Sequence, residues 1–157
     1  MKQISMRKIV QTDEDFLYKL FISSRQDLQC IAGINEDMID IIYHQQYLAE
    51  KLQLEKNYSG ERFQIILCED KPIGRFYVHC GKKGFRIIAI ALLPEFRNQQ
   101  IGTYVLKEML KEASSMNKSV YLQVAWYNHL AKNLYEKLGF HVIEDNKVYF
   151  EMEWNPS

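Results

Sequence analysis

One segment near the middle of the chain constrains the fold more than any other. The apolar run from Ile87 to Leu93 is short enough for a buried strand, and it stops at Pro94. A polar loop follows, and this segment therefore predicts a strand, a loop and a helix in immediate succession. The helix is indicated by apolar residues at helical spacing: Ile101, Val105, Leu106, Met109, Leu110, Ala113 and Met116.

This succession of elements favours the binding of an anion. The first N–H groups of a helix have no partner within the helix, and together with the helix dipole they attract a phosphate. Arg97, at the start of the loop, adds a permanent positive charge whose planar guanidinium fits two phosphate oxygens. The loop and the first turn of the helix therefore form a predicted phosphate site.

Composition excludes several classes of protein. Lys and Arg number 20 and so do Asp and Glu, which argues against a general nucleic-acid binder because such proteins need excess positive charge. No apolar run reaches the roughly 20 residues that span a bilayer, and residues 1–8 contain no apolar signal core. We therefore expect a cytoplasmic protein that binds neither nucleic acid nor membrane.

Length predicts a single domain, and cysteine content predicts thiols that are reduced. A chain of 157 residues without repeats or linkers predicts a single domain over residues 1–157, as a monomer or a homodimer. Cys30, Cys68 and Cys80 are odd in number and share no metal-type spacing. They are therefore expected to be reduced thiols, with no disulfide frame and no metal site.

The remaining pattern predicts one mixed α/β sheet with the element order βααβββαβαββ. Thr12 with Asp15 resembles a capping box before the first helix, and Asn35 is positioned to cap the second. The second helix is predicted to bury an apolar face made of Met38, Ile41, Ile42, Leu48, Ala49 and Leu52. Strands are predicted near residues 4–10, 63–68, 73–80, 85–92, 120–124, 142–143 and 148–152.

Two blocks of sequence resemble one family, the GNAT superfamily of acyl-CoA-dependent N-acyltransferases. The block from Ala91 to Gly102 is similar to the family's strand followed by Q/R-x-x-G-x-G/A. The block from Asn128 to Phe140 resembles the family's asparagine, helix and Y-E-K-x-G-F ending. The element order also matches over nearly the whole chain, and the two blocks about thirty residues apart are specific only in combination.

The resemblance implies a site for acetyl-CoA and a single N-acetyltransferase domain. Leu92 and Leu93 would offer backbone groups to the pantetheine arm, which enters a gap between this strand and Val120–Val124. Asn128 would bond the pantetheine or cap the last helix. The CoA pyrophosphate would be held by Arg97, Asn98, Gln99, Gln100, Ile101, Gly102 and Thr103.

The resemblance also implies a catalytic residue. Tyr135 would lie near the CoA sulfur and give a proton to the leaving thiolate; the alternative is a ring packed into the core beside Leu134 and Leu138. A backbone N–H of the central strand, at Leu92 or Leu93, would hold the oxyanion.

The sequence departs from the family pattern at two places. Gln100 stands where the family has the first glycine of its loop, so a side chain would crowd the phosphate or donate a bond to it. The central strand has no carboxylate at 87–89 to deprotonate the amine, so the rate should depend on neutral amine and climb with pH. Other candidate proton acceptors are His79, His44, Glu69, Asp70, Glu36 and Asp37.

Two further groups remain open between a binding role and a structural one. Arg75 is placed to bind a substrate carboxylate or to serve a surface or hairpin role. An aromatic cluster is placed to form an acceptor wall or to pack in the core: Tyr43, Tyr47, Tyr58 and Phe63.

The expected function is transfer of an acetyl group from acetyl-CoA to a primary amine of a small molecule or peptide. The mechanism implied is direct attack of the neutral amine on the thioester, without a covalent enzyme intermediate. The alternative is an acyl-CoA-binding module without transferase activity, which Gln100 and the missing carboxylate both allow.

Overall fold

A computed structural model describes residues 2–25, 33 and 35–157. Its centre is a seven-stranded sheet with the order β1-β2-β3-β4-β5-β7-β6. The element order βααβββαβαββ predicted from the sequence is confirmed. The strands are β1 (Ile4–Lys8), β2 (Arg62–Cys68), β3 (Lys71–Cys80), β4 (Gly84–Leu92), β5 (Ser119–Ala125), β6 (His141–Asp145) and β7 (Tyr149–Trp154), and the helices are α1 (Glu14–Ser23), α2 (Glu36–Asn57), α3 (Ile101–Ser115) and α4 (His129–Lys137).

The pairing of β4 with β5 is parallel and ends early. It joins Gly84–Ile87 to Ser119–Leu122, whereas the other neighbouring strands pair antiparallel. Beyond Ile87, β4 continues to Leu92 without a partner on its β5 side. The gap predicted between these strands is therefore confirmed, and we call it the splay.

The sheet separates two hydrophobic layers. On one side, α3 and α4 pack on the larger core, which includes Phe76, Ile87, Leu122 and Met152. On the other side, α1 and α2 pack over β2 and β3. The contacts of this second layer involve Leu17, Phe21, Tyr47, Phe63, Ile65 and Tyr77.

The buried face of α2 differs from the predicted one. The helix buries Ile39, Tyr43 and Tyr47, because the rings cover a large apolar area while their hydroxyls find partners. The Tyr47 hydroxyl donates to Glu14 Oε1 at 2.8 Å. The Tyr43 hydroxyl donates to the backbone carbonyl of Arg25, which follows the end of α1. The aliphatic residues that were expected inside are 41–65% exposed: Met38, Ile41, Leu48 and Leu52.

Of the caps predicted for α1 and α2, the one on α2 is present and the one on α1 is not. Asn35 accepts a hydrogen bond from Met38 N–H at 2.9 Å and caps α2, as predicted. The capping box at Thr12 is wrong, because Thr12 lies inside a 3-10 turn and α1 begins at Glu14. Asp13 closes that turn, since its carboxylate accepts from Val10 N–H at 2.8 Å.

Gly84 sets the closest approach of β4 and β5. It pairs with Ser119, and a Cβ at Gly84 would lie 2.2 Å from the Ser119 carbonyl oxygen. We expect Gly84→Ala to lower the free energy of unfolding by at least about 2 kcal/mol, because the strands must move apart. Urea denaturation measures this.

The matched control for that substitution is Gly102→Ala. A Cβ at Gly102 meets no atom within 4 Å, so the free energy of unfolding should stay level or rise by up to about 1 kcal/mol. Equal losses in the two variants would contradict the assigned role of Gly84.

Candidate active site

The backbone of β4 faces the splay at alternate residues. The Leu93 N–H donates to the Ile73 carbonyl of β3 at 2.8 Å. Because these groups alternate in direction along an antiparallel strand, Ala91 also bonds to β3, whereas Ile90 and Leu92 direct their backbone groups into the splay. Leu93 therefore has no free N–H for an oxyanion. Of the two residues predicted for that role, Leu92 remains the candidate.

A β-bulge marks the point where the splay opens. Tyr77 pairs with Ala89 and Val78 with Ile87, which leaves Ile88 as the extra residue of β4. Bulges bend a strand and interrupt its pairing, and they are frequent beside active sites. Ile88 and Ala89 pack against the layer of α1 and α2, so this stretch offers apolar side chains and no carboxylate.

The helix after the loop begins without a side-chain cap. Gln100 is its N-cap residue and makes no capping hydrogen bond, and the first bond within the helix runs from Tyr104 N–H to Gln100 O at 3.0 Å. The N–H groups of Ile101, Gly102 and Thr103 thus lack helical partners. A Cβ at Gly102 would meet nothing within 4 Å, so the helix start has open space beside this residue.

Gln100 has a backbone conformation that favours glycine. Its φ is +63°, in the left-handed region that costs a residue with a Cβ about 1–2 kcal/mol. The side chain lines a cavity of about 540 Å³ together with Lys2 and Lys107. It stays more than 4 Å from a Cβ built at Gly102.

Arg97 joins the loop to the end of β4. Its Nε donates to the Leu92 carbonyl at 3.0 Å, and its backbone N–H donates to the Pro94 carbonyl at 3.2 Å. The backbone N–H is therefore already used, and Arg97 contributes the charge of an exposed guanidinium. Gln99 also stiffens the loop, since its Nε2 donates to the Glu95 carbonyl at 2.7 Å.

The residues predicted on the last helix take distinct positions. Asn128 caps α4, because its Oδ1 accepts from Ala131 N–H at 3.3 Å, and this leaves its amide nitrogen exposed. Tyr135 packs edge-on against Phe140, with 5.8 Å between ring centroids, in the same core cluster as Leu92.

The Tyr135 hydroxyl is a proton donor at neutral pH. Burial raises its pKa above the usual value near 10, so the phenol stays protonated. Among the residues that the structure describes, none forms a hydrogen bond with this hydroxyl. The group is therefore free to donate to a ligand.

Two cavities lie on the sheet face opposite α3. Their volumes are about 640 and 480 Å³, and Arg86 and Gln123 line both. Ile88 lines the smaller one, so this open face reaches the bulge at which β4 leaves β5. The two cavities together form what we call the open groove, defined by Arg86, Gln123, Ile88 and Glu151.

An ion pair that the sequence analysis did not identify lies in the open groove. Arg86 Nη1 donates to Glu151 Oε1 at 3.2 Å, and its Nη2 contacts Oε2. Glu151 is 9% exposed. The signal that marks it is the alternation of β7, where Glu151 and Glu153 interrupt an apolar strand at positions that share one face.

Of the two candidate histidines, His79 lines the open groove and His44 does not. His79 pairs with Arg86 across β3 and β4 and lines the larger cavity. His44 is exposed on α2 and contacts Tyr18, with 5.6 Å between ring centroids. The four carboxylates considered alongside them are exposed and line neither cavity: Glu36, Asp37, Glu69 and Asp70.

Arg75 and most of the aromatic cluster are structural. Arg75 Nη1 lies 2.8 Å from Glu50 Oε1, and its guanidinium stacks 4.8 Å from the Tyr77 ring centroid, so it is not free for a substrate carboxylate. Tyr58 alone of the cluster lines the open groove. The rest are buried in the core: Tyr43, Tyr47 and Phe63.

The cysteines and the helices add two observations. Cys68 and Cys80 are free thiols, and Cys30 lies outside the described residues. In the described part of the chain, no group of three or more His, Cys, Asp or Glu side chains is arranged to hold a metal ion.

None of the described helices has the length and apolar character needed to cross a bilayer.

Comparison of sequences gives a family. The sequence model of the Acetyltransferase (GNAT) family matches residues 28–140. An N-alpha-acetyltransferase of Sulfolobus acidocaldarius is 26% identical over 148 residues, which cover 85% of this chain and 85% of the relative. N-alpha-acetyltransferase 50 of Danio rerio is 24% identical over 131 residues, covering 80% of this chain and 75% of the relative.

Solved structures share the fold. The PaiA N-acetyltransferase of Thermoplasma acidophilum, in complex with coenzyme A, has a TM-score of 0.72 at 23% identity and covers 98% of this chain and 99% of that chain. Arabidopsis thaliana Naa50, in complex with the bisubstrate analogue CoA-Ac-MVNAL, has a TM-score of 0.60 at 18% identity, with 96% and 97% covered. The chain belongs to the GNAT family of acetyltransferases, and it is an acyltransferase.

Proposed function

We propose that this enzyme transfers an acetyl group from acetyl-CoA to a primary amine of a small molecule or peptide. The observation that carries the proposal is the splay, which opens beside an uncapped helix N-terminus. The uncapped helix N-terminus suits a phosphate, and the splay suits an extended arm that pairs with β4. Acetyl-CoA combines both features, and it supplies an activated acetyl group.

The donor would be held mainly by backbone groups. The N–H groups of Ile101, Gly102 and Thr103 would bind the pyrophosphate, and the α3 dipole would support them. The Arg97 guanidinium adds charge next to the splay. Leu92 N–H is available for the pantetheine or the thioester oxygen, and the free amide nitrogen of Asn128 is available for a pantetheine carbonyl.

Tyr135 is the proposed acid. As the C–S bond of the thioester breaks, the thiolate takes the proton of the Tyr135 hydroxyl. The attacking amine forms the new C–N bond directly, so no acetyl group is carried on the enzyme. The names of two relatives, both N-alpha-acetyltransferases, support an amine acceptor.

The proposal is tested by following CoA release with two acceptors. One is the peptide MVNAL, taken from the analogue bound to the Arabidopsis protein, and the other is n-butylamine. Release that depends on the amine supports transfer, and N-terminally blocked MVNAL is the control. Binding of acetyl-CoA in calorimetry without release to either amine would favour the binding-module alternative. Absence of binding would overturn the proposal.

Gly102→Val should abolish acetyl-CoA binding while the protein stays folded. The valine side chain would occupy the open space at the start of α3, where a Cβ at Gly102 meets no protein atom within 4 Å. We expect at least a hundredfold weaker binding in calorimetry. Lys111→Val is the matched control, because it puts the same residue at an exposed position of the same helix. Equal affinity in both variants would remove the pyrophosphate assignment.

Tyr135→Phe should lower kcat at least tenfold with little change in acetyl-CoA affinity. The hydroxyl acts on the leaving thiolate and not on the bound ground state. Tyr18→Phe, on α1 and away from the splay, is the control for loss of a phenol. An unchanged kcat would show that Tyr135 only packs against Phe140 and its neighbours.

A further inference from the structure

The pairing register places Glu151 at the level where the splay opens. Ile87 pairs with Leu122, and Leu122 pairs with Met152, which is the last row that β4 shares with β5 and β7. The next row of β5 and β7 contains Gln123 and Glu151. Glu151 is therefore one row beyond the last β4–β5 pair, on the face opposite α3.

The ion pair with Arg86 turns this carboxylate toward β4. Arg86 lies on β4 and Glu151 on β7, so the two side chains meet above β5, which runs between them. The guanidinium engages both carboxylate oxygens, yet each oxygen keeps a further lone pair for another donor. Glu151 is thus held rigidly, largely out of bulk water, in the groove that reaches Ile88.

We infer that Glu151 accepts the proton of the attacking amine, directly or through one water, and that Arg86 is its positioning residue. This inference rests on the proposed function. The bound ammonium gives one proton to Glu151, which passes it to solvent, and the neutral amine nitrogen then forms a bond to the thioester carbonyl carbon as the C–S bond breaks. The nitrogen loses its second proton to Glu151, and the thiolate gains one from Tyr135. Solvent then restores both side chains.

Charged groups of both signs surround Glu151. Glu144 from β6 and Glu153 from its own strand lie on the same face as Glu151, and the guanidinium of Arg86 pairs with Glu151 itself. The other titratable groups of this cavity are His79 on β3, Tyr121 on β5, and Lys82 and Lys83 in the β3–β4 turn.

The test is the pH dependence of kcat/KM with n-butylamine, whose pKa is close to the lysine value of about 10.4. If Glu151 takes the proton from the bound ammonium, the wild-type profile is level between about pH 7 and pH 9, in place of the climb with pH expected from the sequence alone. In Glu151→Gln, only the neutral amine reacts, so the profile rises tenfold per pH unit toward the amine pKa. At pH 7 we expect the variant to be at least tenfold slower.

Glu153→Gln is the matched control. It removes a carboxylate from the same face of the same strand, in the row where β4 and β5 are still paired, so the level profile should persist. His79→Gln should also keep it. The double variant Arg86→Gln/Glu151→Gln guards against misfolding, because it leaves no unpaired guanidinium, and it should show the same rising profile as Glu151→Gln.

The outcomes separate the two proposals. A wild-type enzyme that transfers acetyl groups to neither MVNAL nor n-butylamine overturns the proposed function. A wild-type enzyme that is active, with a profile that Glu151→Gln leaves unchanged, overturns only the role of Glu151. An equal effect of Glu153→Gln, or loss of the level profile in His79→Gln alone, also overturns it.

Discussion

The early end of the β4–β5 pairing is the constraint on which the rest of the structure depends. Two parallel strands that remained paired would use every backbone group of β4, and no ligand arm could join the sheet. Close packing at Gly84 holds the strands together at one end, and the bulge at Ile88 releases them. The splay that results leaves the N–H of Leu92 directed away from β3 and without a β5 partner.

The sheet then divides the proposed reaction between its two faces. The uncapped start of α3 and the hydroxyl of Tyr135 lie on the side of the larger core. The open groove and the Arg86–Glu151 pair lie on the other side. The splay is where these sides communicate, so donor and acceptor would meet without crossing the same entrance. Proximity of two bound reactants supplies much of the rate in such a site.

The sequence predicted the element order and the loop between β4 and α3 because both depend on local patterns. Periodicity, Pro94 and the motif at Arg97 are properties of neighbouring residues. The prediction of the buried face of α2 was wrong because the tyrosine hydroxyls form hydrogen bonds with residues distant in sequence, which no local pattern indicates. Glu151 was missed for the same reason: its partner Arg86 is 65 residues away, and only strand order brings them together.

Hydrogen exchange at single amides of β4 tests the central claim most directly. If the arm of acetyl-CoA pairs with β4 in the splay, added acetyl-CoA should slow exchange at the Ile90 and Leu92 amides. Exchange at Ala91 and Leu93 should not change, because those amides already bond to β3. Equal slowing at all four amides, or none at Leu92, would contradict the account.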